Sequence, residues 1–198
     1  DALLSRGLGD VYKRQHLMAD ACDYARFCSA IDFWVMTDHA EASTPRKWGE
    51  TIKAVQNCNK VNENKNLKDL FSFVGFEWTQ ISPNKEDHFG HKNVIFLETD
   101  NNLLPGVPFG AAGYSSDNFR DNSNLSTVRQ NMLGAAIVDF SNRQRYADFL
   151  GFVEEILDHP DCDLKDPDPR NCYRSVVTPR DLFKVLDTVK SDSVVIPH

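Results

Sequence analysis

Three strand-like runs of this 198-residue chain lead into side chains of types that can bind metal ions. WVMTDH ends in Asp38 and His39, GFEW carries Glu77, and VVIP runs into His198. In parallel α/β folds the carboxyl ends of the strands share one rim, and sites assemble there. A strand that ends in an imidazole or a carboxylate holds that group on a stiff backbone, the preorganisation a metal site requires. Nitrogen and oxygen donors together suit a divalent transition metal, zinc, manganese or iron, whereas calcium takes oxygen alone. A fourth element, HFGHKNVIF, offers His88 and His91. Only one of the two need be a ligand.

The elements that must position these groups follow from periodicity. Leu17, Ala21, Tyr24, Ala25 and Cys28 recur at helical spacing, and IDFWVM after them reads as a short buried strand. Thr44 followed by Pro45 is an N-cap with proline at the first helical position, and Trp48, Ile52 and Val55 line one face of a helix running to about Cys58. FSFVGFEW and KNVIFLET are further strands. Residues 99–124, rich in Asn, Gly, Pro and Ser, read as a long surface loop. Tyr146, Phe149, Leu150, Val153, Ile156 and Leu157 mark another helix. Thr178 and Pro179 repeat the capped start before Leu182, Phe183, Leu186 and Val189, and SVVIPH gives a last strand. Strands alternating with helices predict an α/β domain with mainly parallel strands, and no linker divides the chain.

Acidic residues outnumber basic ones by 29 to 22, giving a net charge of −7. That balance, with no Lys/Arg block, argues against nonspecific nucleic-acid binding. With 41% apolar and 26% charged residues, no run approaches the roughly 18 apolar residues a membrane span needs. Glycine patterns for dinucleotides or a P-loop are absent, as is the G-x-S-x-G of a serine hydrolase. The five cysteines form no CxxC pair. Their placement suggests two staples, Cys28–Cys58 joining two helix ends and Cys162–Cys172 closing the loop DCDLKDPDPRNC. Such bridges favour a periplasmic or extracellular setting; the alternative is five thiols in a cytosolic protein.

Taken in order, FWVMTDHAE, FVGFEWTQ, GHKNVIF and VVIPH resemble the DUF3604 family, which is related to the PHP (polymerase and histidinol phosphatase) metal-dependent phosphoesterases. The likeness spans residues 17–198 and includes the TPRDLF helix start. It implies an incomplete PHP-like distorted (β/α)7 barrel that holds two or three metal ions at its rim. It also implies His39, Glu77, His91 and His198 as metal ligands. Asp38 and His88 become the candidate catalytic residues, Asp38 orienting an imidazole or a bound water and His88 touching substrate, with Trp78 and Phe89 as pocket walls. The implied substrate is a small molecule, a phosphoester above all.

The departures are equally specific. Relatives of this kind begin with an HxH motif that has no counterpart here, and a later Asp-x-His motif would lie beyond His198. Residues 5–15, SRGLGDVYKRQ, resemble a string found at the ends of proteins translated from metagenomic assemblies, where it is taken for adaptor read-through. Residues 1–15 are therefore expected to be non-native, and residues 16–198 a partial domain with about half the ligand set and little activity of its own. Two other classes stay open: a noncatalytic domain that uses the rim to recognise a phosphorylated or sugar ligand, and an amidohydrolase-like enzyme acting on an amide or ester.

Overall fold

A computed structural model describes residues 18–65, 70–111, 125–158, 162 and 172–197. Helix α1 (Met18–Asp23) runs into a π-helical turn (Tyr24–Cys28) and then β1 (Phe33–Met36). A 3₁₀ turn (Ala40–Ala42) leads to α2 (Pro45–Lys65), followed by β2 (Phe71–Gln80), β3 (Gly90–Phe96) and β4 (Phe109–Ala111). Then come α3 (Leu125–Val138), α4 (Arg143–Leu157), β5 (Arg174–Val176), α5 (Pro179–Leu186) and β6 (Ser193–Pro197).

The main sheet has the order β1-β2-β3-β6. β1 pairs with β2 in parallel, and β3 is antiparallel to both β2 and β6. Strands β1, β2 and β6 therefore point one way and β3 the other, a mixed α/β arrangement. The described strands do not close into a barrel. The reversal of β3 has a local cause: only residues 81–89 separate it from β2, too few for the crossover that a parallel neighbour requires. Gly90 at its start takes φ 69°, the left-handed region that favours glycine.

The core lies between this sheet and α2. Trp48 of α2 meets Phe76 and Phe96 at ring-centroid distances of 6.3 and 6.5 Å, and Phe109 meets Phe76 at 6.0 Å. Leu182 and Leu186 of α5 join the same cluster. Phe76 and Trp78 are fully buried on one face of β2, and such burial stabilises by roughly 1.5–3 kcal/mol for each large apolar side chain. Strand alternation then sends Glu77 and Thr79 to the opposite face. Gly75 shares that second face: a Cβ there would lie 2.5 Å from Val94 O and 3.0 Å from Val35 Cγ2, so its absence lets the neighbouring strands close in.

Several expectations are corrected. The helix begun at Thr44 does not end near Cys58 but continues to Lys65, because the polar residues after Cys58 face no breaker. Its cap is as read: Lys47 N donates to Thr44 Oγ1 at 3.2 Å. The 99–124 segment is not all loop, since Phe109–Ala111 is a buried strand pairing in parallel with Arg174–Val176. Helix Leu125–Val138 was unmarked by periodicity because its apolar residues are spread around it and none of its side chains is buried.

The first disulfide is Cys22–Cys58, not Cys28–Cys58, with a Cα–Cα distance of 6.1 Å. Cys22 of α1 is buried in one cluster with Ala25 of the π-helical turn, whereas Cys28, at the end of that turn, is exposed and free. Cys162–Cys172 forms as expected. Among the described residues no helix is long and apolar enough to cross a membrane. Residues 1–17, which include the adaptor-like string, most of the DCDLKDPDPRNC loop and His198 lie outside the described residues.

Candidate functional site

Past Met36 the chain continues beside β2, so that Glu77 N donates to Asp38 O at 2.9 Å and His39 forms an isolated parallel bridge with Glu77. His39 thereby lies next to Glu77 at the carboxyl ends of two parallel strands. On the other side, β3 pairs Thr79 with His91 and Glu77 with Asn93. Residues directly opposite in an antiparallel pair share a face, so His91 and Asn93 join Glu77 and Thr79. His91 stands at the beginning of its strand, and the reversal of β3 is what puts a strand's beginning at this rim.

The side chains converge on one carboxylate oxygen. Glu77 Oε1 accepts from Thr79 Oγ1 at 2.9 Å and lies 2.5 Å from His91 Nδ1 and 3.8 Å from His39 Nδ1. Thr79 Oγ1 is also 3.1 Å from His39 Nδ1 and 3.2 Å from His91 Nδ1. Glu77 is 1% exposed. Burial alone would raise its pKa, but the charge of His39 and the hydrogen bonds from His91 and Thr79 outweigh it and hold the carboxyl below the usual range.

A second carboxylate lies alongside. The tight 3₁₀ turn after His39 brings Glu41 back toward the imidazole, with Oε2 at 3.9 Å from His39 Nδ1. Its Oε1 accepts the Ala111 N–H at 3.1 Å. Burial pushes the Glu41 carboxyl up to about 7, and the negative Glu77 adds to the rise; backbone N–H groups of Glu41, Ala111 and Thr79 pull the other way.

Among the residues read from sequence, the structure brings together His39, Glu77 and His91. Asp38 enters through its backbone carbonyl, while its carboxylate acts electrostatically on Lys47 of α2. His88 is exposed on the 81–89 connection, where Ser82 N donates to its Nδ1 at 3.2 Å. Trp78 is buried in the core, with Lys92 Nζ 5.2 Å from its ring centroid, and Phe89 packs against that core. The position before His198, Pro197, pairs with Lys92, the neighbour of His91. Sequence reading missed Glu41, Thr79 and Asn93. The signals were present: Thr79 is two residues from Glu77 and so on its face, and Glu41 follows His39 within one short turn.

Among the described residues, no group of three or more His, Cys, Asp or Glu side chains is arranged to hold a metal ion as it stands. The nitrogen and oxygen atoms nearest one another are His91 Nδ1 and Glu77 Oε1 at 2.5 Å, His39 Nδ1 and Glu77 Oε1 at 3.8 Å, and His39 Nδ1 and Glu41 Oε2 at 3.9 Å. No known protein family, curated protein or solved structure matches the chain.

Proposed function

We propose that this chain carries the metal-binding rim of a metal-dependent hydrolase, a phosphoesterase in the first instance, with His39, Glu77 and His91 as ligands. The observation that supports it is that His39, in the isolated bridge that follows β1, and His91 of β3 both approach Glu77 Oε1 of β2. Zinc, manganese or iron bound there would supply an activated water at neutral pH and a clamp on phosphoryl oxygens. Thr79 would orient the imidazoles through its hydroxyl, the part that outer partners of ligands play. Asp38 O accepts from Glu77 N, and His88, exposed on the 81–89 connection, would meet substrate. His198, next after Pro197, is proposed as a fourth ligand and a distorted (β/α)7 barrel as the complete architecture, holding two or three ions, in keeping with the DUF3604 and PHP resemblance. The Cys22–Cys58 and Cys162–Cys172 bridges support a periplasmic or extracellular setting.

The test is elemental analysis of the chain after loading with Zn²⁺, Mn²⁺ or Fe²⁺ and desalting, beside His39→Ala and Glu77→Ala. Wild type should retain metal and both variants should lose it. Equal metal content in all three would overturn the ligand assignment. A panel of phosphoester, amide and carboxylic ester substrates, run on the loaded protein, separates the phosphoesterase from an amidohydrolase-like enzyme.

A further inference from the structure

We propose that the Cys22–Cys58 bridge takes part in thiol–disulfide exchange with a dithiol reductant, with Cys58 Sγ as the sulfur that leaves as a thiolate. The bridge packs with Trp34 of β1 and Leu70 just before β2, at the end of the sheet opposite the rim. The inference is therefore independent of the metal-site reading.

Donors from two buried side chains surround the sulfurs. Arg26 is 7% exposed, and its guanidinium reaches both: Nη1 lies 3.5 Å from Cys22 Sγ and Nη2 4.0 Å from Cys58 Sγ. Ser72 Oγ donates to Cys58 Sγ at 2.8 Å while accepting from Trp34 Nε1 at 2.6 Å, which polarises its O–H toward the sulfur. Both side chains are held in place. Arg26 Nη2 also donates to Cys58 O at 3.0 Å. Asn59, the next residue of α2, clamps the Ser72 backbone: its Nδ2 donates to Ser72 O and its Oδ1 accepts from Ser72 N, each at 2.9 Å. A disulfide sulfur is an uncharged, weak acceptor, so a guanidinium and a hydroxyl aimed at it gain little. A thiolate in the same place gains from both, as cysteines beside an arginine do. The surroundings thus complement the reduced Cys58 better than the bridge.

The same asymmetry sets the direction of exchange. Helix α1 has six residues, too few to hold without its packing on α2, whereas Cys58 sits within the 21 residues of α2. Local opening of α1 presents Cys22 first. A thiolate of the reductant attacks Cys22 Sγ; the Cys22–Cys58 bond breaks and its electron pair stays on Cys58 Sγ. The second thiol of the reductant then displaces Cys22, which takes up the proton that this thiol releases. The reductant leaves as a disulfide, two electrons having passed to the chain. A leaving sulfur stabilised as its thiolate leaves faster.

The experiment equilibrates the full chain with reduced and oxidised dithiothreitol at a series of ratios, for wild type, Ser72→Ala and Arg26→Gln. Acid quenching, alkylation and peptide mapping read the fraction of the 22–58 link, with the Cys162–Cys172 bridge of the same chain as internal reference and circular dichroism as the control for folding. Each substitution removes a hydrogen bond that is strong only toward a charged sulfur. It should raise the reduced-to-oxidised ratio at which half the link opens by about tenfold. The loss of an acceptor for Trp34 Nε1 in Ser72→Ala is common to both redox states and cancels in that ratio. Should Arg26→Gln fail to fold, Ser72→Ala decides alone. An unchanged ratio, or a lower one, in folded Ser72→Ala would mean that these donors serve the bridge itself, and overturns the proposal.

Discussion

His91 Nδ1 lies 2.5 Å from Glu77 Oε1, although 14 residues of hairpin separate the two along the chain. The contact joins a half-exposed imidazole to a carboxylate with almost no solvent access, and so bears on stability as well as on any ligand role. Removing the imidazole leaves the buried Glu77 carboxylate short of one hydrogen-bond partner. With Thr79 and His39 still beside Glu77, His91→Ala should cost about 1–3 kcal/mol. Urea unfolding in the presence of a chelator measures this, and an unchanged midpoint would show that the pair does not form without metal.

The Cys22–Cys58 bridge closes a span of 36 residues between α1 and α2. Arg26 packs against it and donates to Cys58 O at 3.0 Å, while Ser72 Oγ donates to Cys58 Sγ at 2.8 Å. Cys22→Ser should therefore destabilise by about 2–4 kcal/mol, and Cys28→Ser, at an exposed position, should change little. Peptide mapping under nonreducing conditions should recover the 22–58 link, and recovery of a 28–58 link instead would reverse the assignment.

Glu155 of α4 ties that helix to the start of α2: it accepts from Thr44 Oγ1 and from Arg46 Nη2, the latter at 2.6 Å. Burial opposes its ionisation, but these two hydrogen bonds and the charge of Arg46 prevail and hold its pKa below the ordinary 4.5. A depressed folded-state pKa gives stability that is present above the unfolded value and lost as pH falls through the folded one. The stability difference between wild type and Glu155→Gln should thus be largest above pH 5 and shrink progressively below about 4.5. Unfolding curves for the two proteins between pH 3 and 7 test it; a difference that stays constant across that range would mean Glu155 is unperturbed.

The residues that could be read from sequence share a property: a regular element fixes their direction. His39 follows, and Glu77 lies within, strands marked by apolar, aromatic runs, and the capped starts at Thr44 and Thr178 are local motifs; Thr178 Oγ1 accepts from Asp181 N at 3.2 Å. Period-two alternation would also have placed Thr79 beside Glu77. What local pattern cannot carry is pairing between distant segments. Phe109–Ala111 is three residues long and is a strand only because Arg174–Val176 runs beside it. Glu41 is significant only because that strand reaches it through Ala111. The choice between Cys22 and Cys28 likewise depends on which side of α1 and its π-helical turn packs on α2.

Gly110 links that distant pairing to the site. Its missing Cβ is occupied by the phenol of Tyr173, whose Cζ is 2.1 Å and Cε2 2.8 Å from where the carbon would be. Tyr173 is 4% exposed and Ala111 is fully buried, so neither can move into solvent without opening the core. Gly110→Ala must therefore displace the phenol or shift β4, at a cost of about 1–3 kcal/mol typical of overpacking. A shifted β4 also carries the Ala111 N–H away from Glu41 Oε1, which it meets at 3.1 Å. The substitution should therefore lower the thermal midpoint, and the double variant Gly110→Ala/Tyr173→Phe, which removes the closest atom, should recover part of the loss. A thermal midpoint of Gly110→Ala equal to that of wild type would show that β4 and Tyr173 do not pack this closely.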